Sequence, residues 1–172
     1  MEMRLKIGDR EEALGFKDGF RFETAAEALG VSEADARFQG PLIVEGTLEN
    51  TGGLFRVSGE ILATRAFVCD RCLAESHAQE RYPFTEDFHR DGAADDMDAN
   101  AFGEEGIDLA PLVRDVVIAA IPIRNLCRPD CKGLCPKCGA DLNQDDCGCD
   151  REVVDPRLEV LKDLMMKEKS QG

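Results

Sequence analysis

Pro41-Leu-Ile-Val-Glu-Gly-Thr-Leu48, the turn Asn50-Thr-Gly-Gly53, and Leu54-Phe-Arg-Val-Ser-Gly-Glu-Ile-Leu-Ala-Thr-Arg-Ala-Phe-Val68 run straight into Cys69-Asp-Arg-Cys72. Leu42, Val44 and Leu48 share one face of an extended chain, and the Asn/Gly cluster reverses its direction. The alternation resumes at Tyr82, Phe84 and Phe88, with Glu86 interrupting the apolar face and Pro83 pointing to an edge strand. The centre of the chain therefore reads as an antiparallel β meander, closed or partly closed into a barrel. Cys69 and Cys72 sit where the long strand ends, so their loop displays two sulfurs at one edge of the sheet.

Outward toward the N-terminus, Met3, Leu5 and Ile7 alternate with Arg4 and Lys6, the pattern of a short strand. Phe16, Phe20 and Phe22 lie in a glycine-broken segment that periodicity does not assign. Thr24 is placed to cap a short helix over 25–29 that Gly30 stops, and Ser32 with Asp35 is a second start signal. Toward the C-terminus, residues 91–106 are acidic and glycine-rich with little to bury, which predicts a mobile loop. Asp108 then caps a helix over Leu109 to Ala120, with Leu109, Leu112, Val113, Val116 and Val117 at helical spacing, packed on the sheet. Pro122 ends it. Asp155-Pro156 opens a last helix with Leu158, Leu161, Leu164 and Met165 in a narrow stripe. The fold class is α+β, divided into a β-rich core over 1–126, a cysteine-rich knuckle over 127–150 and a helical tail over 151–172.

The remaining six cysteines fall in Cys127-Arg-Pro-Asp-Cys131-Lys-Gly-Leu-Cys135-Pro-Lys-Cys138-Gly139 and Cys147-Gly-Cys149. A C-x-x-C turn followed by glycine aims two thiolates the same way, and glycine supplies the positive φ such a turn needs. Cys135, Cys138, Cys147 and Cys149 make a first tetrahedral set. Cys69, Cys72, Cys127 and Cys131 make a second if the fold brings them together. Rival partitions use Cys131 with the first pair and leave Cys149 spare, or leave Cys69 and Cys72 as a free dithiol. Zinc is favoured on general grounds for a structural thiolate site, one ion or two, although four sulfurs at tetrahedral spacing suit iron as well. His77 and His89 read as partly exposed surface residues rather than ligands. Four disulfides are the bland alternative, disfavoured where thiols are kept reduced.

The chain of 172 residues carries 35 acidic against 21 basic residues, a formal net charge of −14, which argues against a broad electrostatic grip on a phosphate backbone. No apolar run approaches a membrane span, and the first residues lack a signal-peptide core, so the expected compartment is the cytoplasm. No nucleophilic triad, phosphate-cradling loop or small-molecule site is evident. A site filled by four protein ligands is structural rather than catalytic. A thiol oxidoreductase built on Cys69 and Cys72 requires that C-x-x-C to open a helix, for which residues 73–79 are the candidate, and it lacks a surrounding βαβ pattern.

Cys69-Asp-Arg-Cys72-Leu73, the apolar helix leading to Ile121-Pro-Ile123, Cys131-Lys-Gly-Leu-Cys-Pro-Lys-Cys-Gly-Ala-Asp-Leu-Asn143 and Asp155-Pro-Arg-Leu158 together resemble the bacterial YceD-like family. The resemblance implies a non-enzymatic, metal-binding role in accumulation or processing of the large-subunit ribosomal RNA. Arg124, Arg128, Lys132 and Lys137 around the cysteines would then contact phosphates locally, or merely offset thiolate charge. The partner is ribosomal RNA in the first case and a ribosomal or assembly protein in the second.

Overall fold

A computed structural model describes residues 3–91 and 100–151. The last helix expected over 155–166, and the most acidic part of the 91–106 segment, lie outside the described residues. The chain divides into two compact units: Met1–Cys69 with Ala74–Cys127, and Asp70–Leu73 with Arg128–Gly172.

The larger unit is mostly strand. Strands β1 (Arg4–Leu5), β2 (Lys17–Thr24), β3 (Arg37–Phe38), β4 (Leu42–Asn50), β5 (Phe55–Val68), β6 (Glu75–Arg90), β7 (Asn100–Phe102) and β8 (Ile107–Asp108) precede one helix, α1 (Ala110–Ala120). The main sheet runs β2-β4-β5-β6-β7 with β3 alongside β5, while β1 pairs with β8 separately. The meander expected at its centre is there: Val44 opposes Ile61, which opposes Tyr82, all antiparallel. The sheets do not close into a barrel, because β2 and β7 end the strand order without pairing each other. The edge position argued from Pro83 fits the pairing, since β6 meets β7 only from Phe88 to Arg90.

The structure assigns one segment that periodicity leaves open and corrects two expectations. Lys17–Thr24, left unassigned, is a strand, with Phe20 and Phe22 half-buried on the face that continues to buried Thr24. Gly19 broke the apolar pattern without breaking the pairing, which β4 imposes along the whole strand. Thr24 therefore caps nothing; the turn it was to cap is a 3₁₀ segment, Glu27–Leu29, closed by Gly30 at φ 74°. Within the acidic segment, Asn100–Phe102 forms a strand parallel to β6, because Phe102 buries its ring edge-on against Phe55. Composition hid it: one aromatic among acids and glycines is enough to anchor three residues.

The helix lies as its stripe dictates. Leu109, Val113 and Val117 are fully buried, and Leu112 and Val116 pack against the same core. Asp108 accepts a hydrogen bond from the Ala110 N–H at 3.0 Å, which satisfies one of the free donors at the helix start. Each large apolar side chain so buried contributes roughly 1.5–3 kcal/mol.

One buried charge organises the far end of the sheet. Arg65 grips Glu80 from Nε and Nη2 at 2.9 and 2.8 Å, and its Nη1 donates to Asn125 Oδ1 at 2.6 Å. Tyr82 donates its hydroxyl to the same carboxylate, and Phe67 stacks under the guanidinium. Asn125 lies two residues before Cys127, so this clamp ties the segment that follows α1 to strand β5. Burial alone would raise the Glu80 carboxyl, but the hydrogen bonds from Arg65 and Tyr82 reverse that and hold it below its ordinary value of 4.5. Burial and the Glu80 contact together push the Tyr82 hydroxyl well up. A carboxyl lowered in the folded state stabilises above its unfolded pKa and loses that contribution as pH falls through the folded value. The wild type should therefore lose urea resistance between pH 5 and pH 3 by more than Glu80→Gln does. Equal acid sensitivity in the two would remove the clamp from the stability of the sheet.

Candidate metal centre

The two C-x-x-C turns are built alike. The Cys69 N–H donates to the Ala74 carbonyl at 2.9 Å, and the Cys135 N–H donates to the Ala140 carbonyl at 2.8 Å, five residues on in both cases. The residue after the second cysteine is left-handed in both: Gly139 at φ 75°, and Leu73 at φ 58°, the only non-glycine with positive φ among the described residues. An L side chain pays ~1–2 kcal/mol to sit there, so the turn at Leu73 is imposed by its surroundings rather than chosen locally. That turn joins β5 to β6, and Glu75 already belongs to a strand. The short helix that a thioredoxin-like reading needs over 73–79 is absent, because residues 75–79 pair with β5.

None of the eight cysteines is joined in a disulfide. They gather as the two sets read from the spacing: Cys135, Cys138, Cys147 and Cys149, and Cys69, Cys72, Cys127 and Cys131. Within each set the sulfurs all lie within 4.8 Å of one another. The rival partitions, with Cys131 joined to the first pair or Cys69 and Cys72 standing alone, do not describe this arrangement. His77 is exposed and His89 half-buried, and neither joins a set.

The electrostatics of the first set fit a cation. Backbone N–H groups of Cys138 and Lys137 face the Cys135 sulfur and draw its thiol down to about 6. The Ala140 N–H lowers Cys138, but the sulfurs of Cys135 and Cys147 outweigh it and raise that thiol. Cys149 is pushed up to about 12 by its neighbours Cys147 and Cys138. Four thiols this close cannot all ionise against one another, whereas a divalent ion at their centre would favour all four thiolates. The donor set and its N–H partners thus suit zinc or iron held by sulfur alone.

The smaller unit holds these cysteines with a short hairpin. Leu134 and Asp141 form an antiparallel bridge, and the Leu142 N–H donates to the Gly133 carbonyl at 2.9 Å. Leu142 is buried, as are Cys131 and Cys135. The Arg71 carbonyl accepts from the Leu134 N–H at 3.0 Å, and its guanidinium donates to the Cys131 carbonyl at 2.7 Å. Gly133 sits at φ 77° with the Arg71 carbonyl 3.0 Å from where a Cβ would be. Glycine is required there twice over, by conformation and by closeness.

Asn143 ends the motif of the sequence reading, and its side chain bonds in several directions. Its Oδ1 accepts from the Lys132 N–H and from Arg128 Nη2, both at 2.8 Å. Its Nδ2 donates to Asp141 Oδ1 at 2.7 Å and to the Cys131 sulfur at 3.5 Å. A sequence signal existed in the Asp-x-Asn of an Asx turn beside the cysteines, but its target, Cys131, is a tertiary neighbour. Of the basic residues singled out, Arg124, Lys132 and Lys137 have exposed side chains. Arg128 is exposed as well but engaged, bonded to Asn143 and paired with Asp130 at 3.5 Å.

No helix among the described residues is long and apolar enough to cross a membrane. An uncharacterised protein of Mycobacterium tuberculosis is 33% identical over 114 residues, 63% of this chain and 55% of that protein. The Bacillus subtilis protein YlbN is 27% identical over 168 residues, 88% of this chain and 91% of its own. A protein of Arabidopsis thaliana named large ribosomal RNA subunit accumulation protein YCED homolog 1, chloroplastic, is 47% identical over 58 residues, 34% of this chain and 18% of that one. The chain spans about half the length of the mycobacterial relatives it matches. No solved structure matches it. The family model described as large ribosomal RNA subunit accumulation protein YceD matches residues 57–165, a span covering both cysteine sets, and the chain belongs to that family.

Proposed function

We propose that this protein is a non-enzymatic, zinc-binding factor of the cytoplasm that acts in the accumulation of large-subunit ribosomal RNA. One observation carries the metal-binding half of the reading: eight cysteines sorted into two sets of four, each with its sulfurs within 4.8 Å. Four protein ligands fill a tetrahedral ion and leave no position for water or substrate, so both ions would order the chain rather than react. The process is taken from the name borne by the family and its plant relatives. In this reading Arg124, Lys132 and Lys137 offer contacts to phosphate, with Arg128 shared between that task and Asn143.

A second reading, an adaptor for a ribosomal or assembly protein, is favoured by the net charge of −14 and by the engagement of Arg128. Elemental analysis of protein purified without chelator should give two zinc ions per chain and no reactive thiol; a metal-free chain with eight reactive thiols would sink the metal-binding reading. Binding of a large-subunit ribosomal RNA transcript should weaken steeply with salt, and weaken uniformly on Lys132→Ala or Lys137→Ala, if RNA is the partner. A salt-independent or absent RNA affinity would transfer the role to the adaptor.

A further inference from the structure

We infer that the two four-cysteine sets load metal in order: Cys135, Cys138, Cys147 and Cys149 first, and Cys69, Cys72, Cys127 and Cys131 second, with Asn143 as the residue that couples them. The inference rests on the metal-binding reading above. Its first support is chain length. The segment from Cys135 to Cys149 is less than a quarter as long as that from Cys69 to Cys131. An ion in the first set therefore closes only a short loop of its own segment.

The second support is where Asn143 stands. It lies in the segment between Cys138 and Cys147, which an ion in the first set would close into a fixed loop. From there its Nδ2 donates to the Cys131 sulfur, a member of the second set, at 3.5 Å. Its Oδ1 holds the Lys132 N–H at 2.8 Å, the residue next to Cys131. Asp141 Oδ1 in turn fixes Asn143, through the backbone N–H at 2.9 Å and the side-chain amide at 2.7 Å. An N–H aimed at a sulfur stabilises the thiolate and orients it, so Asn143 is an outer-shell partner of the second set carried by the loop of the first.

The hairpin supplies a third link. Cys135 follows Leu134, whose N–H reaches the Arg71 carbonyl inside the C-x-x-C of Cys69 and Cys72. Arg71 returns a hydrogen bond to the Cys131 carbonyl. A first ion that orders the hairpin thus also presents the surface on which Cys72 and Cys131 meet.

The test is titration of the full, reduced chain with Co²⁺ alone, followed by its thiolate absorption, with zinc competition to give each affinity. The wild type should take up two ions in two distinguishable steps. Cys69→Ser/Cys72→Ser should keep one ion at the affinity of the first step. Cys135→Ser/Cys138→Ser should lose the first ion and weaken the second by tenfold or more. Asn143→Ala keeps all eight thiols, and so bears the argument even where the cysteine variants fold poorly; it should weaken only the second step, by about 10- to 100-fold. Asn143→Asp, which removes the donor and sets a carboxylate beside the sulfur, should weaken it further. Independent sites, with the second ion bound at wild-type affinity in both Cys135→Ser/Cys138→Ser and Asn143→Ala, would overturn the inference while leaving the metal-binding reading intact. A wild type that binds no Co²⁺ would overturn both.

Discussion

Stripping metal from the protein with a strong chelator should unfold the segment 128–151 while the sheet persists. The only apolar side chains buried in that segment are Leu142 and the two cysteines Cys131 and Cys135, far too small a core to offset the backbone entropy of ordering it. Structural zinc supplies roughly 10–16 kcal/mol of apparent binding free energy to small cysteine-rich folds at neutral pH, which is the scale needed here. The sheet has its own core, in which Leu42, Val44, Val57 and Ile61 are wholly buried, and owes nothing to sulfur. Amide hydrogen exchange separates the two. The Leu134 and Leu142 amides, bonded to the Arg71 and Gly133 carbonyls, should lose protection on chelation, and the β4–β5 ladder should keep it. Unchanged protection at Leu134 and Leu142 after removal of all metal would mean that the hairpin folds on hydrogen bonds alone.

Replacing Gly59 by valine should cost about 3–5 kcal/mol, a large share of the stability of a domain of this size. Gly59 opposes Gly46 on one side and Phe84 on the other, and Gly46 opposes Phe20, so one row across the sheet reads Phe20, Gly46, Gly59, Phe84. A Cβ on Gly59 would lie 2.2 Å from the Glu45 carbonyl oxygen and 2.8 Å from the Gly46 Cα. Both are backbone atoms of the paired strand, so relief requires parting β4 from β5 in the middle of the ladder. The adjacent row holds a control. Gly19 neighbours this crossing without crowding, with the nearest atom to its virtual Cβ at 3.8 Å, so Gly19→Ala should fall within about 0.5 kcal/mol of wild type. Urea denaturation of the three proteins decides it: coincident midpoints would show that the strands can separate at the glycine pair without loss.

The β centre and the helix were legible because their information is local. Leu42, Val44 and Leu48 alternate, Leu109, Val113 and Val117 recur at helical spacing, and each pattern needs only the geometry of its own backbone to declare which face is buried. The Cys135 turn was legible for the same reason, since Gly139 and the two-residue spacing state the local conformation outright. What failed was local pattern diluted by its neighbours: Gly19 masked a strand, and the acids around Phe102 masked another.

By itself, then, the amino-acid sequence determined the periodic elements, the four-sulfur set closed by a short loop, and a charge balance hostile to a wide phosphate-binding face. The tertiary structure alone decided that β7 joins β6 in parallel, that the sheet stays open, and that Cys69 and Cys72 meet Cys127 and Cys131. It alone made Asn143 a partner of Cys131 and Arg65 a clamp on Asn125. The physical reason is common to all of these. Each depends on packing at the ends of a segment whose closure no local pattern states, over long loops for Arg65 with Asn125 and for Cys69 with Cys127, and over 12 residues for Asn143 with Cys131. No spacing along the chain encodes that packing.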